Sequence, residues 1–276
     1  MTDTEKNTGD FDDQQSLLRS LVDPAVFPQD DGPSPVDQIR FLEGPHEIND
    51  EQAILDSVDD EFRRAFATFN EISPCVGFFG SARTRTDDPL YEMGRKTAEL
   101  IAREGFAIMT GGGPGMMQAA NQGAQDAGGR SVGCVIELPN EEAANPYVNR
   151  VASFKHFYVR KVIMVKYSFG FVVLPGGYGT MDEMFEILTL IQTGKIREFP
   201  LVLMGCAYWQ KLYDFLSTSM VDSGMIDPDD LKLIQLTDDP RSACDHVTSI
   251  AKHRFELHKG APAACRLDWE HLRGKS

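Results

Sequence analysis

The chain has 276 residues, 42% of them hydrophobic, and a formal net charge of −15. That length suits one large domain with its own core, and with neither a signal-peptide pattern nor an apolar stretch of spanning length it is expected to be cytoplasmic, without a membrane partner. The acidity counts against a nucleic-acid partner, but residues 1–61 carry 17 of the 42 acids and 3 of the 27 bases, so the remainder stands near neutrality and can accept a small anion.

Residues 1–50 combine that acidity with Pro24, Pro28, Pro33, Pro35 and Pro45 and read as a mostly disordered arm, with one short helix near 14–21. Apolar residues at helical spacing predict a helix over 51–69, which Pro74 follows, and then a short buried strand over 75–79 ending at Gly80-Ser81. A helix over 91–104 leads to a strand over 106–109, the turn Gly111-Gly112-Gly113-Pro114-Gly115 and a helix over 116–127. A third strand is expected at 132–136, a short strand at 154–157 and a helix at 159–167. Within that last segment Phe157, Val162, Val165 and Phe169 read as close packing against the sheet. The apolar run 171–174 runs into Pro175-Gly176-Gly177-Tyr178-Gly179, and a helix follows over 180–193. Strands at 201–204 and 233–236 alternate with helices over 208–221 and 240–257, where Tyr208 and Trp209 read as packing residues.

Short apolar strands alternating with helices imply an α/β fold: a Rossmann-like, doubly wound parallel sheet in three layers. A single domain is expected over 51–260, with the arm before it and a tail over 261–276. Cys75, Cys134, Cys206, Cys244 and Cys265 are scattered without a C-x-x-C and read as buried free thiols.

Ligands of such sheets gather at the carboxyl ends of the strands. Three of those ends carry glycine: Gly80-Ser81, Gly111–Gly115 and Gly176–Gly179. Neither later turn fits a known nucleotide loop. The third glycine of G-x-G-x-x-G is replaced by Met116 or Asp182, and Gly179-Thr180 lacks the lysine of a Walker loop. The pattern points to a mononucleotide or sugar phosphate held by backbone amides at a helix N-terminus. Glu183, early in that helix, has two readings. It can act on whatever the phosphate carries, or it can complete a capping box with Thr180. Arg160-Lys161 is either a surface cation pair or a partner for phosphate or carboxylate.

The order Gly111-Gly112-Gly113-Pro114-Gly115-Met116-Met117, Arg160-Lys161 and Pro175-Gly176-Gly177-Tyr178-Gly179-Thr180-x-x-Glu183 resembles the LONELY GUY family over residues 70–245. These are cytokinin riboside 5′-monophosphate phosphoribohydrolases, long labelled lysine decarboxylases. The resemblance implies hydrolysis of the N-glycosidic bond of a nucleoside 5′-monophosphate, a cytokinin nucleotide or AMP, to free base and ribose 5-phosphate. It makes Arg160 and Glu183 catalytic. Substrate contacts are expected from Gly80, Ser81, Gly111, Gly112, Gly113, Lys161, Gly176, Gly177, Tyr178, Gly179, Thr180 and Thr189. Neither a metal nor an organic cofactor is required, and a homo-oligomer, a dimer or larger, is implied. Phe157 stands where many plant-like members carry methionine, and the arm and longer C-terminal region look like the larger bacterial-type members. Two other readings use the same residues: a nucleotide-binding or sensing protein without turnover, and a decarboxylase with pyridoxal phosphate on Lys161 or Lys166.

Overall fold

The computed structural model describes residues 50–70, 72, 74–137, 144–196 and 199–255. The expected helix at 14–21, nearly all of the acidic arm, the tail from 261 and Cys265 lie outside these residues. The chain opens with α1 (Asp50–Phe69), followed by β1 (Cys75–Phe79), α2 (Pro89–Arg103), β2 (Ala107–Thr110), α3 (Met116–Asp126) and β3 (Ser131–Ile136). It continues through β4 (Arg150–Phe154), α4 (Phe157–Tyr167), β5 (Ser168–Val173), α5 (Tyr178–Gln192) and β6 (Leu201–Met204). It closes with α6 (Cys206–Phe215), a π turn (Leu216–Met220), a 3-10 turn (Pro228–Leu233), β7 (Ile234–Thr237) and α7 (Pro240–Phe255).

All seven strands form one sheet in the order β4-β3-β2-β1-β5-β6-β7, and every pairing is parallel. The chain therefore winds outward from β1 to β4, returns beside β1, and winds out the other way. Such a sheet must be covered on both faces, and alternation along β1 shows how. Cys75 and Phe79 face a core shared with Ala65 and Phe69 of α1, Ile163 of α4, Ile187 of α5 and Trp209 of α6. Val76 and Phe78 face a second core with Ile101 of α2, Ala119 and Ala120 of α3, and Val247 of α7. The expected three layers are present.

The strand expected at 154–157 is instead β4, and Phe157 already begins α4. Its alternating exposure marks it as an edge strand: Val151 faces outward while Ala152 and Phe154 are buried. The reading of Phe157, Val162, Val165 and Phe169 as close packing holds for Phe169, which is buried, and Val165, which packs against the core, and is corrected for the other two. Val159, Ile163 and Met164 turn inward, whereas Phe157, Tyr158 and Val162 lie on the outer face of α4. Cys75, Cys134 and Cys244 are buried free thiols as expected, and Cys206 is partly exposed at the start of α6.

Side-chain capping with a complemented dipole is seen at α2. In α2, Asp88 accepts a hydrogen bond from the Leu90 N–H at 2.8 Å, Pro89 occupies the first turn, and Glu92 and Arg103 complement the dipole. Helix α5, like α3, α4 and α6, starts without a side-chain cap. Its N-cap is Gly177, and its first turn carries no acid.

Candidate active site

Strands β1 and β5 are the neighbours at which strand order reverses, and that switch point is where such sheets bind ligands. A cavity of about 730 Å³ opens there, a size suited to a small molecule. Three segments are laced together around it. Leu174 N–H donates to the Phe79 carbonyl at 2.8 Å, Ser81 N–H to the Pro175 carbonyl at 3.0 Å, and Met116 N–H to the Ser81 carbonyl at 2.9 Å. The bonds tie the segment after β1 to the turn after β5 and to the start of α3, so the cavity floor is anchored to the sheet's own framework.

The two readings of Glu183 are separated by where α5 begins. Because the helix starts at Tyr178, Thr180 lies inside its first turn and no capping box with Glu183 forms. Thr180 is buried instead, and its side chain fills the space over Gly176 that a Cβ there would need. Gly177 and Gly179 meet no protein atom within 4 Å of a built Cβ, and neither has a positive φ. The fold does not require glycine at either position. The bare backbone instead leaves room for something to approach the uncapped amides.

Glu183 lies one turn along the helix, 6% exposed, and lines the same cavity. Its nearest cation is Arg160, with Nη1 3.6 Å from Oε1. Burial pushes the Glu183 carboxyl above its ordinary range, and Arg160 and Lys161 only partly pull it back. A buried acid with a single loose partner is costly to the fold, and such groups cluster at reactive sites.

Arg160 is held in two ways. Its Nε donates to the Cys134 carbonyl of β3 at 2.8 Å, and its backbone N–H donates to the His156 carbonyl at 3.1 Å. The guanidinium lies over Gly111, where a Cβ would come within 2.6 Å of Nη2. Upstream, the buried Glu61 of α1 accepts from the Lys155 N–H at 3.0 Å and contacts His156 Nδ1 at 2.9 Å. This buried pair fixes the entry of α4 and, through it, the place of Arg160. The Cys134 thiol is pushed up to about 12 by burial and is no nucleophile at neutral pH.

Of the residues expected at the site, Gly80, Ser81, Gly111, Arg160, Gly176, Gly177, Tyr178, Gly179, Thr180 and Glu183 line the cavity together. Gly112, Gly113, Lys161 and Thr189 are not among its lining residues. Asn145 Nδ2 donates to both the Gly112 and Gly113 carbonyls at 3.0 Å, which turns those peptides into the fold. Thr189 lies on α5 with its hydroxyl on the Phe185 carbonyl. Lys161 bridges α4 to α5 through Asp182 at 2.6 Å and Glu186 at 2.8 Å. Burial lowers its pKa, but these two bonds carry it above the ordinary value, the opposite of what a Schiff-base lysine requires.

Sequence reasoning missed Arg83, Met117 and Tyr208, all of which line the cavity. Tyr208 is not simply packed, since its hydroxyl donates to the Gly176 carbonyl at 2.6 Å and steadies the glycine turn. Among the described residues no group of three or more His, Cys, Asp and Glu is placed to hold a metal, and no helix is long and apolar enough to cross a membrane.

With this geometry in place, comparison with known proteins gives a consistent result. A family model described as "Possible lysine decarboxylase" matches residues 117–247. The chain is 28% identical over 229 residues to the probable cytokinin riboside 5′-monophosphate phosphoribohydrolase LOGL2 of Oryza sativa subsp. japonica, covering 77% of this chain and 88% of that protein. It is 30% identical over 162 residues to the cytokinin riboside 5′-monophosphate phosphoribohydrolase LOG3 of Arabidopsis thaliana, covering 58% and 73%. A structural-genomics target solved by X-ray diffraction matches the fold with a TM-score of 0.50 at 22% identity, over 64% of this chain and 99% of the other.

Proposed function

The chain belongs to the LONELY GUY family of cytokinin riboside 5′-monophosphate phosphoribohydrolases, and from that premise we propose that it hydrolyses the N-glycosidic bond of a nucleoside 5′-monophosphate. The products are the free base and ribose 5-phosphate. The observation that carries this reading is one cavity holding both an uncapped helix N-terminus with open glycines and, one turn later, a buried acid.

The phosphate sits against the amides of Gly177, Tyr178, Gly179 and Thr180, where the helix dipole favours negative charge. That anchor places the ribose over Glu183. Water then adds across the C1′–N bond: its hydroxyl goes to C1′, and its other proton passes by way of the Glu183 carboxyl to the departing base nitrogen. Positive charge gathers on the sugar ring as the bond breaks, and the carboxylate stabilises it. The raised pKa of Glu183 suits a group that takes up and returns a proton. Arg160 holds Glu183 in place and offers its remaining donors to the substrate. The apolar side chains of Phe79, Met117, Phe157 and Met181 supply a wall for the base, favouring adenine or an adenine with an apolar substituent.

The reading includes a homo-oligomer, supported by Phe157, Tyr158 and Val162, which stand exposed together on α4 beside the cavity. Light scattering at micromolar concentration should show more than a monomer, and a fully active monomer would remove that part. Incubation with AMP and with isopentenyladenosine 5′-monophosphate tests the reaction. Free base and ribose 5-phosphate in equal amounts are expected. Absence of base from every purine and pyrimidine monophosphate would overturn the reading in favour of a nucleotide sensor.

A further inference from the structure

We propose that Arg83 recognises the charge of the phosphate monoester and thereby sets the preference for a nucleoside 5′-monophosphate over the nucleoside. The inference rests on the nucleotide reading above and deepens it.

The charges around the cavity point to this residue. Two arginines and two acids line it: Arg83, Arg160, Asp182 and Glu183. Arg160 is occupied, with Nε on the Cys134 carbonyl and Nη1 facing Glu183. Lys161, outside the lining, is held by Asp182 and Glu186. Arg83 makes no side-chain hydrogen bond or ion pair with any described residue and is exposed towards the cavity. Its neighbour Arg85 behaves in the ordinary way, forming a two-pronged pair with Asp87 at 2.9 and 3.0 Å. Of the two arginines lining the cavity, Arg83 is the one left free.

Its backbone is fixed next to the anion turn. Arg83 N–H donates to Ser81 Oγ at 3.0 Å, and Ser81 N–H donates to the carbonyl of Pro175, the residue before Gly176-Gly177. The magnitudes call for such a group. A phosphate monoester brings roughly −1.5 to −2 at neutral pH, whereas a helix N-terminus offers only about +0.5. Arg160 is already opposite Glu183, so helix α5 alone leaves most of the ligand's charge unmatched. One guanidinium with free donors supplies the balance and can grip two phosphate oxygens at once.

The test uses the full chain and the variants Arg83→Gln and Arg83→Lys. Arg83→Gln should raise KM for AMP about 10- to 100-fold, with kcat falling by less than KM rises. The ratio of kcat/KM for AMP over adenosine should narrow by a similar factor, and Arg83→Lys should recover part of the loss. Calorimetric titration with ribose 5-phosphate should show the same weakening. An unchanged KM and ribose 5-phosphate affinity, or equal losses on AMP and adenosine, would overturn the assignment. Should the wild type release no base from any monophosphate, the hydrolytic reading fails by itself and the titration decides. Weaker ribose 5-phosphate binding by Arg83→Gln then supports the role of Arg83, whereas equal binding, or none by the wild type, removes it.

Discussion

Two turns of nearly the same composition flank β1, one after β2 and one after β5, and they serve different ends. In the first, Gly112 and Gly115 have φ of 80° and 67°, and a Cβ on Gly115 would lie 2.5 Å from the Ser81 carbonyl oxygen. Its peptides are used internally. Gly112 N–H donates to Thr110 Oγ1, while the buried Asn145 and Asn121 join the Gly112 and Gly113 carbonyls to Thr110. In the second, Gly177 and Gly179 have neither a positive φ nor a protein atom within 4 Å of a built Cβ. The protein's own backbone and packing demand glycine at 112 and 115, whereas nothing in the protein demands it at 177 and 179, which the proposed function assigns to the phosphate. Counting glycines cannot tell these apart, because the difference lies in φ and in which atoms surround each Cα.

The largest test of that contrast is at the acid beside the open turn. Glu183→Gln should lower turnover by ~10²–10⁴ while ribose 5-phosphate still binds, as measured by steady-state kinetics and calorimetry. Next comes Arg160→Lys, which cannot reach the Cys134 carbonyl and Glu183 together and should cost about 10- to 100-fold in kcat/KM.

The turns themselves give a paired comparison. Gly115→Ala should destabilise the fold by about 1–3 kcal/mol in urea or thermal melts. Gly177→Ala should stay within about 0.5 kcal/mol of the wild type but raise KM for the nucleotide. Equal destabilisation by both would erase the distinction drawn here.

The smallest expected effect concerns pH. The folded pKa of Glu183 is raised above its ordinary value of 4.5, chiefly by burial. The native state therefore holds that proton more tightly than the unfolded chain, and stability is lost as pH rises from 4.5 through the folded value. Glu183→Gln removes that loss. Its melting temperature should match the wild type below the ordinary carboxyl range and exceed it at neutral pH. A gap that is constant with pH would contradict burial as the cause.

Much of this was legible in the residues. Buried apolar runs at 75–79, 171–174 and 201–204, spaced by helical patterns, are enough to specify a parallel sheet. The glycine endings locate its working edge. What could not be read was orientation. Lys161 follows Arg160 directly, yet one helical step turns it from the cavity towards Asp182 and Glu186. The Thr180-x-x-Glu183 spacing fits a capping box, but the helix begins two residues earlier and the box is never formed. Thr189 fell outside the cavity lining because two further turns carry it past the site. Tyr208 reaches the site from α6 and Arg83 from the loop after β1; only the strand order β1-β5-β6 brings both to one cavity.

The most direct test of the account is a crystal structure of the protein with ribose 5-phosphate bound. Phosphate oxygens are expected within hydrogen-bond distance of the amides at Gly177–Thr180, with C1′ facing the Glu183 carboxyl. A sugar phosphate seated against the Gly111–Gly115 turn, or a pentose turned away from Glu183, would contradict it.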